Sequence, residues 1–227
     1  MHASSLFLPG LRRSGIAELV ALLVGADSLT DRRMLIDGVD IRLNGVVDAL
    51  RHGIGYLSDR DDEIGIGETA TLGGALTSIQ GADAAGSGSV IEDMRRLQKV
   101  VRTIESLGIR AATLDQEVED LSGGDQQKIA LARWLRSGCR ILVLNHPTRG
   151  IDAAARKAIY ELSDELLATG TAVVLVSSDV SELLAHSHRI AVMRQHEIFD
   201  VYQNENVTED IVMQIALGAA DEQKAQV

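Results

Sequence analysis

Two glycines near the start of the chain have the spacing of a phosphate-binding loop. Gly10 and Gly15 are separated by four residues, as in the motif G-x-x-x-x-G-K-[ST]. In that motif backbone N–H groups and a helix N-terminus hold phosphates, the lysine neutralises them and the hydroxyl residue binds Mg²⁺. Ile16 and Ala17 occupy the last two positions, so the amine and the hydroxyl are both absent. The residues assigned to this loop are Gly10, Arg12, Arg13, Ser14, Gly15, Ile16 and Ala17.

A second candidate region begins at Leu121, where the string Leu-Ser-Gly-Gly-Asp-Gln-Gln-Lys ends at Lys128. Ser122 is well placed to cap a following helix, and on its own the string could be no more than a helix start. A strongly apolar stretch follows from Ile141, in the string Ile-Leu-Val-Leu-Asn-His-Pro-Thr-Arg-Gly-Ile-Asp that ends at Asp152. The two strings together are far more specific than either one alone.

The pattern of apolar residues predicts the elements that must position these side chains. An Asp-Gly pair between two short apolar runs predicts a β-hairpin over residues 34–41. Strands that alternate with helices favour an α/β fold with a doubly wound, mainly parallel sheet, whose ligands bind at the carboxyl ends of the strands. The other strands are predicted at 6–8, 53–57, 141–144, 171–176 and 189–193, and the helices at 16–24, 122–137, 152–169 and 180–185.

Composition excludes several classes of function. The 227 residues suffice for one ordinary α/β domain, and 22 basic against 33 acidic residues give a net charge of −11. That charge argues against nucleic-acid binding, because a phosphate backbone requires clustered cations. No apolar run approaches the ~20 residues that span a bilayer. With a single cysteine, Cys139, expected to be buried, we predict a cytoplasmic protein without a nucleic-acid partner.

Together, the string at 121–128 and the string at 141–152 resemble the signature loop, Walker B strand and D-loop of ABC-type ATPases, in the same order and spacing. The Gln-Gln-Lys run, Pro-Thr-Arg-Gly and the Val-Ser-Ser-Asp at 176–179 look like the C-terminal nucleotide-binding domain of ribose- and galactose-type sugar importers. The resemblance spans Leu6 to Gly218 and implies a P-loop ABC ATPase fold in a single domain, 1–227. It also implies a helical subdomain at about 69–120 and a truncated small β lobe, because the family's strands before the phosphate loop are missing.

The resemblance also assigns roles to individual residues. The family's Walker B strand ends in Asp-Glu, where the aspartate organises Mg²⁺ and the glutamate polarises the attacking water. Here Asn145 takes the metal position and His146 the catalytic position. Asp59 falls at the Q-loop position and Ser178 at the position of the switch histidine. The signature and D-loop residues expected to contact a nucleotide are Leu121, Ser122, Gly123, Gly124, Asp125, Gln126 and Asp152.

These departures predict a nucleotide site that has lost most of its chemistry. A lost charge-assisted hydrogen bond to phosphate weakens binding by about 1.5 to 3 kcal/mol, and a lost general base slows a reaction about 10²- to 10⁴-fold. His146 could act as a base near neutral pH, but no firmly held metal would work beside it. The expected cofactors are ATP and Mg²⁺, held weakly or shared with a partner domain.

The family's nucleotide-binding domains work as head-to-tail pairs, with each ATP between the Walker motifs of one domain and the signature loop of the other. The leading hypothesis is therefore an ATP-binding subunit or half-subunit of a sugar importer, peripheral on the inner face of the cell membrane, whose signature loop completes the ATP site of another nucleotide-binding domain. Membrane permease subunits, and indirectly a substrate-binding protein, are the other expected partners. Two alternatives stay open, a catalytically active ATPase that couples hydrolysis to sugar import, and a non-functional truncated remnant.

Overall fold

The computed structural model describes residues 5–9, 14–27, 33–58, 71–77, 98 and 100–217. The chain forms two compact units, which we call unit 1 and unit 2. Unit 1 comprises Met1–Tyr56, Arg140–His146 and Leu167–Val227, and unit 2 comprises Leu57–Cys139 and Pro147–Leu166. The single domain with a helical subdomain at about 69–120 stays a prediction.

The larger sheet has six strands in the order β4-β5-β6-β1-β7-β8. The pairs β5–β6, β6–β1 and β1–β7 are parallel, whereas β8 runs antiparallel to β7 at the edge. The predicted α/β class with a mainly parallel sheet is therefore confirmed. These strands are β1 Ser5–Pro9, β4 Ile54–Ser58, β5 Ile141–Asn145, β6 Ala172–Ser177, β7 Arg189–Arg194 and β8 Glu197–Gln203.

Helices occur in both units. Two helices of unit 1 were predicted, around residues 16–24 and 180–185, and both are present with one bound shifted by one residue. The described helices are α1 Ile16–Leu23, α2 Val46–Arg51, α3 Leu72–Thr77, α4 at residues 100–106, α5 Gly123–Ser137, α6 Ala153–Ala168, α7 Val180–His186 and α8 Glu209–Leu217. No helix of the described ranges is both long and apolar enough to cross a membrane.

The core of unit 1 packs α1 against the central strands. Strand β5 is a continuous apolar run, and its Leu142, Val143 and Leu144 are almost completely buried. Burying such side chains stabilises the fold by about 1.5 to 3 kcal/mol each. The buried residues of this core are Ile16, Val20, Val24, Ile41, Leu43, Ala49, Ile54, Val143, Val176, Ala191 and Met193.

Two hairpins in unit 1 have left-handed turn residues. The predicted hairpin joins β2 (Met34–Ile36) to β3 (Val39–Ile41), and its Asp-Gly turn has positive φ at both positions. The other hairpin joins β7 to β8 through Gln195 and His196, with φ of 51° and 68°. Two-residue turns of this kind favour Asn-Gly or Asp-Gly. The second turn has no glycine, so the backbone of Gln195 and His196 is strained. Strand β8 was not predicted from the sequence.

Unit 2 is mainly helical and has its own core. Residues of α3, α4 and α5 supply it together with the short 3₁₀ helix Val118–Asp120. The predicted helix after Ser122 is confirmed, because α5 begins at Gly123 and runs for 15 residues. The buried residues of this core are Leu72, Ala75, Leu76, Val100, Ile109, Val118, Leu121, Ile129 and Ala132.

Candidate nucleotide site and signature loop

The carboxyl ends of three neighbouring strands in unit 1 meet at one edge of the sheet. Pro9 at the end of β1 pairs with Ser177 of β6, and Asn145 at the end of β5 pairs with Val176. The backbone N–H of His146 donates to the carbonyl of Val176 at 2.8 Å. Ligands of open parallel sheets bind at this edge. The register therefore places the predicted Walker B positions at the same edge of the sheet as the strand end that precedes the phosphate loop, with the end of β6 between them.

The end of the predicted phosphate loop turns into α1 at a glycine. Gly15 has φ of +93° and immediately precedes α1, whose first backbone bond runs from Leu19 N–H to the Gly15 carbonyl at 3.0 Å. Glycine adopts this left-handed conformation without steric cost. Ser14 is only 5% exposed, and within the described ranges its hydroxyl has no hydrogen-bond partner. The predicted loop positions Gly10, Arg12 and Arg13 lie outside the described residues, as does Asp59.

The two missing phosphate-loop groups have different environments. Ile16, at the lysine position, is 6% exposed and belongs to the core of unit 1. Ala17, at the hydroxyl position, is exposed. The sequence indicated only that a lysine was missing, whereas the structure adds that its replacement is a packing residue. A charge introduced at position 16 would therefore be partly buried among apolar side chains.

The Walker B positions hold no metal carboxylate. The amide nitrogen of Asn145 donates to the phenolic oxygen of Tyr56 at 3.2 Å. His146 follows with φ of 50° and is half-buried. Mg²⁺ prefers carboxylate oxygens, and the uncharged amide oxygen of Asn145 is a weaker ligand. The residues at this strand end therefore do not fit a tightly held Mg²⁺, and the described residues contain no group of three or more His, Cys, Asp or Glu that could hold a metal ion.

Ser178, at the switch position, is exposed at the turn from β6 into α7. Hydrogen bonds made by the neighbouring residues stabilise this turn. The hydroxyl of buried Ser177 donates to the carboxylate of buried Glu182 and accepts the backbone N–H of Asp179 at 3.1 Å. Asp179 caps α7 by accepting the backbone N–H of Glu182 at 3.1 Å. Position 178 is thus presented on a fixed turn at the same edge of the sheet.

The signature loop in unit 2 is a capped helix start. Ser122 accepts the backbone N–H of Asp125 at 3.3 Å, and its own hydroxyl donates to the Asp125 carboxylate at 2.8 Å. The side-chain amide of Gln126 donates to the carbonyls of Glu119 and Leu121 at 3.2 and 3.0 Å. An N-cap of this type stabilises a helix by about 1 kcal/mol. The predicted cap at Ser122 is confirmed.

The two glycines of the signature differ in whether packing requires glycine at their position. A Cβ atom at Gly124 would lie 2.8 Å from the Cβ of Ala155, so glycine is needed there for the close packing of α5 on α6. A Cβ atom at Gly123 would meet no described atom within 4 Å, and no left-handed backbone requires glycine there. Packing within unit 2 therefore explains Gly124 but not Gly123, which is exposed next to Ser122.

A mostly buried ion pair lies directly behind the signature serine. Lys128 Nζ is 3.3 Å from the carboxylate of Asp125, and each side chain is only 11% exposed. Asp125 lies in the first turn of α5, where the helix dipole also favours a negative charge. The pair neutralises the acidic residue that the Ser122 hydroxyl contacts.

We expect Lys128→Met to lower the free energy of unfolding by about 1 to 3 kcal/mol, because it leaves Asp125 mostly buried without its cation. Urea titrations followed by circular dichroism measure this change. The double variant Asp125→Asn/Lys128→Met is the matched control, since it removes both charges, and it should recover at least about half of the loss. Equal stability of Lys128→Met and the wild type would show that the pair carries no stabilising energy.

Asp152, at the predicted D-loop position, is exposed just before α6. The backbone N–H of Ala155 donates to its carboxylate at 2.8 Å and holds the pKa of Asp152 below its ordinary value, with smaller contributions from the charges of Lys128 and Arg110. The residue is thus an ionised cap of α6 near neutral pH.

One pair of site residues was missed by reasoning from the sequence. Glu18 lies in the first turn of α1, and its carboxylate is 3.7 Å from Nε2 of His196 in the β7–β8 turn. The backbone N–H of His196 donates to the carbonyl of Ser14 at 2.8 Å. The acidic first turn of α1 was visible in the sequence, but the approach of residue 196 depends on the tertiary fold.

The sheet and the loops at its edge define the nucleotide-binding domain of an ABC-type ATPase. Residues 5–149 match the family model described as ABC transporter, and the chain belongs to that family. The predicted family and fold are therefore confirmed.

Among its relatives, the ribose import ATP-binding protein RbsA of Lacticaseibacillus paracasei is 32% identical over 215 residues, covering 94% of this chain and 42% of the relative. RbsA of Lactococcus lactis is 34% identical over 210 residues, covering 92% and 42%. The chain thus spans about two fifths of the length of these curated relatives. A solved dimer of the ATP-binding cassette MJ0796 bound to ADP and Pi has the same fold, with a TM-score of 0.72, 19% identity, and coverage of 91% of this chain and 88% of that one.

Proposed function

We propose that this chain is an ATP-binding subunit or half-subunit of a sugar importer, and that it acts chiefly by presenting its signature loop to ATP held by another nucleotide-binding domain. The observation that carries the proposal is an asymmetry between two loops. The lysine position of the phosphate loop is an apolar core residue, Ile16, whereas Ser122 and Gly123 of the signature are exposed. One loop lacks the groups that act on a nucleotide, and the other retains them.

The chain's own site is proposed to bind Mg-ATP weakly. It lacks the amine at position 16, the hydroxyl at position 17 and the carboxylate at position 145. Each lost charge-assisted bond to phosphate or metal removes about 1.5 to 3 kcal/mol of binding. The backbone donors at the start of α1 remain, so some affinity for phosphate is retained. His146 would replace the catalytic carboxylate without a metal beside it.

The signature loop suits the opposite role. The N-terminus of α5 offers backbone N–H groups and a positive partial charge, and Gly123 leaves the space in front of it open. The Ser122 hydroxyl now donates to Asp125, but it can instead donate to a γ-phosphate that approaches from outside. Because Lys128 neutralises Asp125, the acidic residue does not repel that phosphate strongly.

Sugar import is proposed from the two RbsA relatives, whose names assign them to ribose import. On this proposal the chain lies at the cytoplasmic face of the membrane and contacts permease subunits through the predicted helical subdomain at about 69–120, while a substrate-binding protein takes part indirectly. The partner nucleotide-binding domain would supply intact Walker motifs, and the dimeric MJ0796 cassette illustrates pairing in a protein of the same fold.

Calorimetry of the isolated chain with Mg-ATP tests the weak site, and we expect a dissociation constant above about 100 μM, because about 4 kcal/mol lost from a typical micromolar affinity weakens binding about 10³-fold. A value in the low micromolar range would contradict the proposal. Phosphate release by the chain alone should stay at background. Steady turnover of ATP by the isolated chain would instead support the catalytically active alternative.

A further inference from the structure

Glu18 places a negative charge at the end of α1 that carries the positive partial charge. It is the third residue of the helix, and its side chain is 61% exposed. The first backbone N–H groups of a helix have no partner within the helix and attract anions, including carboxylates of the first turn. Phosphate-binding loops use the same N–H groups for phosphate. A carboxylate and a phosphate therefore compete for one electrostatic position.

The β7–β8 turn packs directly on this helix start. A Cβ atom at Gly15 would lie 2.7 Å from Cα of His196 and 2.7 Å from Cδ2 of its ring, so the turn and the loop are in close contact. The backbone of His196 is bonded to Ser14, and its ring nitrogen is 3.7 Å from Glu18. A backbone hydrogen bond thus holds the turn against the loop, and the imidazole lies beside the carboxylate at the helix start.

The same junction contains a buried hydroxyl group that can form a hydrogen bond to a polar ligand. Ser14 is 5% exposed, and its Oγ has no hydrogen-bond partner in the described part of the chain. Leaving such a group unpaired costs about 1 to 3 kcal/mol, which a ligand oxygen at the loop would recover. The junction therefore combines an unpaired donor, a helix N-terminus and an opposing carboxylate.

We propose that Glu18 is a built-in anion that competes with the phosphate groups of a nucleotide at the start of α1, and that it weakens this site in addition to the losses at positions 16, 17 and 145. The inference rests on the proposed weak site and names a cause of that weakness. It also explains how α1 keeps a stabilised N-terminus when no phosphate is bound. A phosphate chain with several negative charges within about 8 Å of Glu18 would bind roughly five- to tenfold more weakly than without it.

Titration of the isolated chain with sodium tripolyphosphate, and separately with Mg-ATP, tests this role by calorimetry. Glu18→Gln should bind tripolyphosphate about five- to tenfold more tightly than the wild type at about 0.05 M salt, and the gain should shrink to less than about twofold at about 0.5 M salt because screening removes the repulsion. Asp210→Asn is the matched control, because it removes one exposed charge from the first turn of α8 in the same unit. It should change the affinity by less than about twofold.

Equal affinities of Glu18→Gln and the wild type, with unchanged thermal unfolding, would overturn the role of Glu18. So would an equal gain in Asp210→Asn, since the effect would then follow net charge alone. A gain that persists at high salt would point to removal of bulk rather than charge and would also overturn it. Tight Mg-ATP binding by the wild type would contradict the proposed function instead, so the two failures are distinguishable.

Discussion

Ser122→Arg is expected to abolish the stimulation of ATP hydrolysis that this chain gives to a partner domain, with a loss of at least about 100-fold in phosphate release. Removing one preorganised donor to a developing charge costs about 10²- to 10³-fold, and an arginine would also fill the space in front of Gly123. Ala17→Glu should leave the stimulation within about twofold, because it changes only the chain's own weak site. Ala17 is exposed, so the variant should fold.

The assay uses an active ABC nucleotide-binding domain whose own signature serine has been replaced by arginine. Pairs of that domain alone are then inactive, and turnover requires the signature loop of this chain. Steady-state phosphate release is measured with the wild-type chain or with each variant. Position 16 is unsuitable for the control, because a glutamate at Ile16 would be buried in the core of unit 1 and would destabilise the fold.

Ser122→Ala is the matched control for the arginine variant. Both substitutions remove the N-cap and lower stability by about 1 kcal/mol, but alanine adds no bulk. It should therefore reduce the stimulation less than arginine does, because only the lost hydroxyl donor contributes. Equal losses in Ser122→Arg and Ala17→Glu, or no stimulation by the wild-type chain, would contradict the role in trans and favour a non-functional remnant.

Restoring four residues together is expected to tighten Mg-ATP binding by at least about 100-fold. The changes are Ile16→Lys, Ala17→Thr, Asn145→Asp and His146→Glu, which supply the amine, the hydroxyl and the carboxylates of an intact site. Two or more charge-assisted contacts of about 1.5 to 3 kcal/mol each account for this size. Each single reversion should change the affinity by less than about threefold, because the groups act as one unit around a single metal and phosphate.

The structure indicates that the fourfold variant is less stable than the wild type. Lysine at position 16 replaces a core residue that is 6% exposed, and aspartate at position 145 loses the amide bond to Tyr56. We therefore expect the fourfold variant to melt at a lower temperature than the wild type without nucleotide and to regain stability with Mg-ATP. Thermal unfolding with and without nucleotide serves as its control. Tight binding by Ile16→Lys alone would show that the metal side of the site was never limiting.

Most of the parallel sheet could be predicted because its strands are locally encoded. Buried parallel strands read as continuous apolar runs, and β5 with Leu142, Val143 and Leu144 is an example. The hairpin at Asp37 was equally predictable from the sequence, since Asp-Gly adopts the left-handed turn with little strain. The β7–β8 hairpin has the same backbone geometry at Gln195 and His196 without a glycine. A tertiary hydrogen bond to Ser14 holds that turn, so the two turn residues themselves gave no hairpin signal.

The candidate site likewise contains features that the local sequence encodes and features that depend on the tertiary fold. Sequence spacing predicted the cap at Ser122, because caps depend on neighbours in sequence, and the assignment of the phosphate-loop residues stays a prediction. It could not predict that Ile16 is a core residue, since that depends on how α1 packs on the sheet. The contact of Glu18 with His196 joins residues far apart in the chain, and no periodicity encodes it.

The open space at Gly123 makes this position an attachment point for a chemical probe. Since a side chain there meets no described atom, a cysteine should be accommodated without rearranging unit 2, and it also favours helix more than glycine does. The chain's own cysteine, Cys139, is buried and need not be removed before labelling. A photoreactive maleimide attached at position 123 would therefore form a covalent link to whatever macromolecule faces the signature loop, and mass spectrometry of the adduct would identify that neighbour directly.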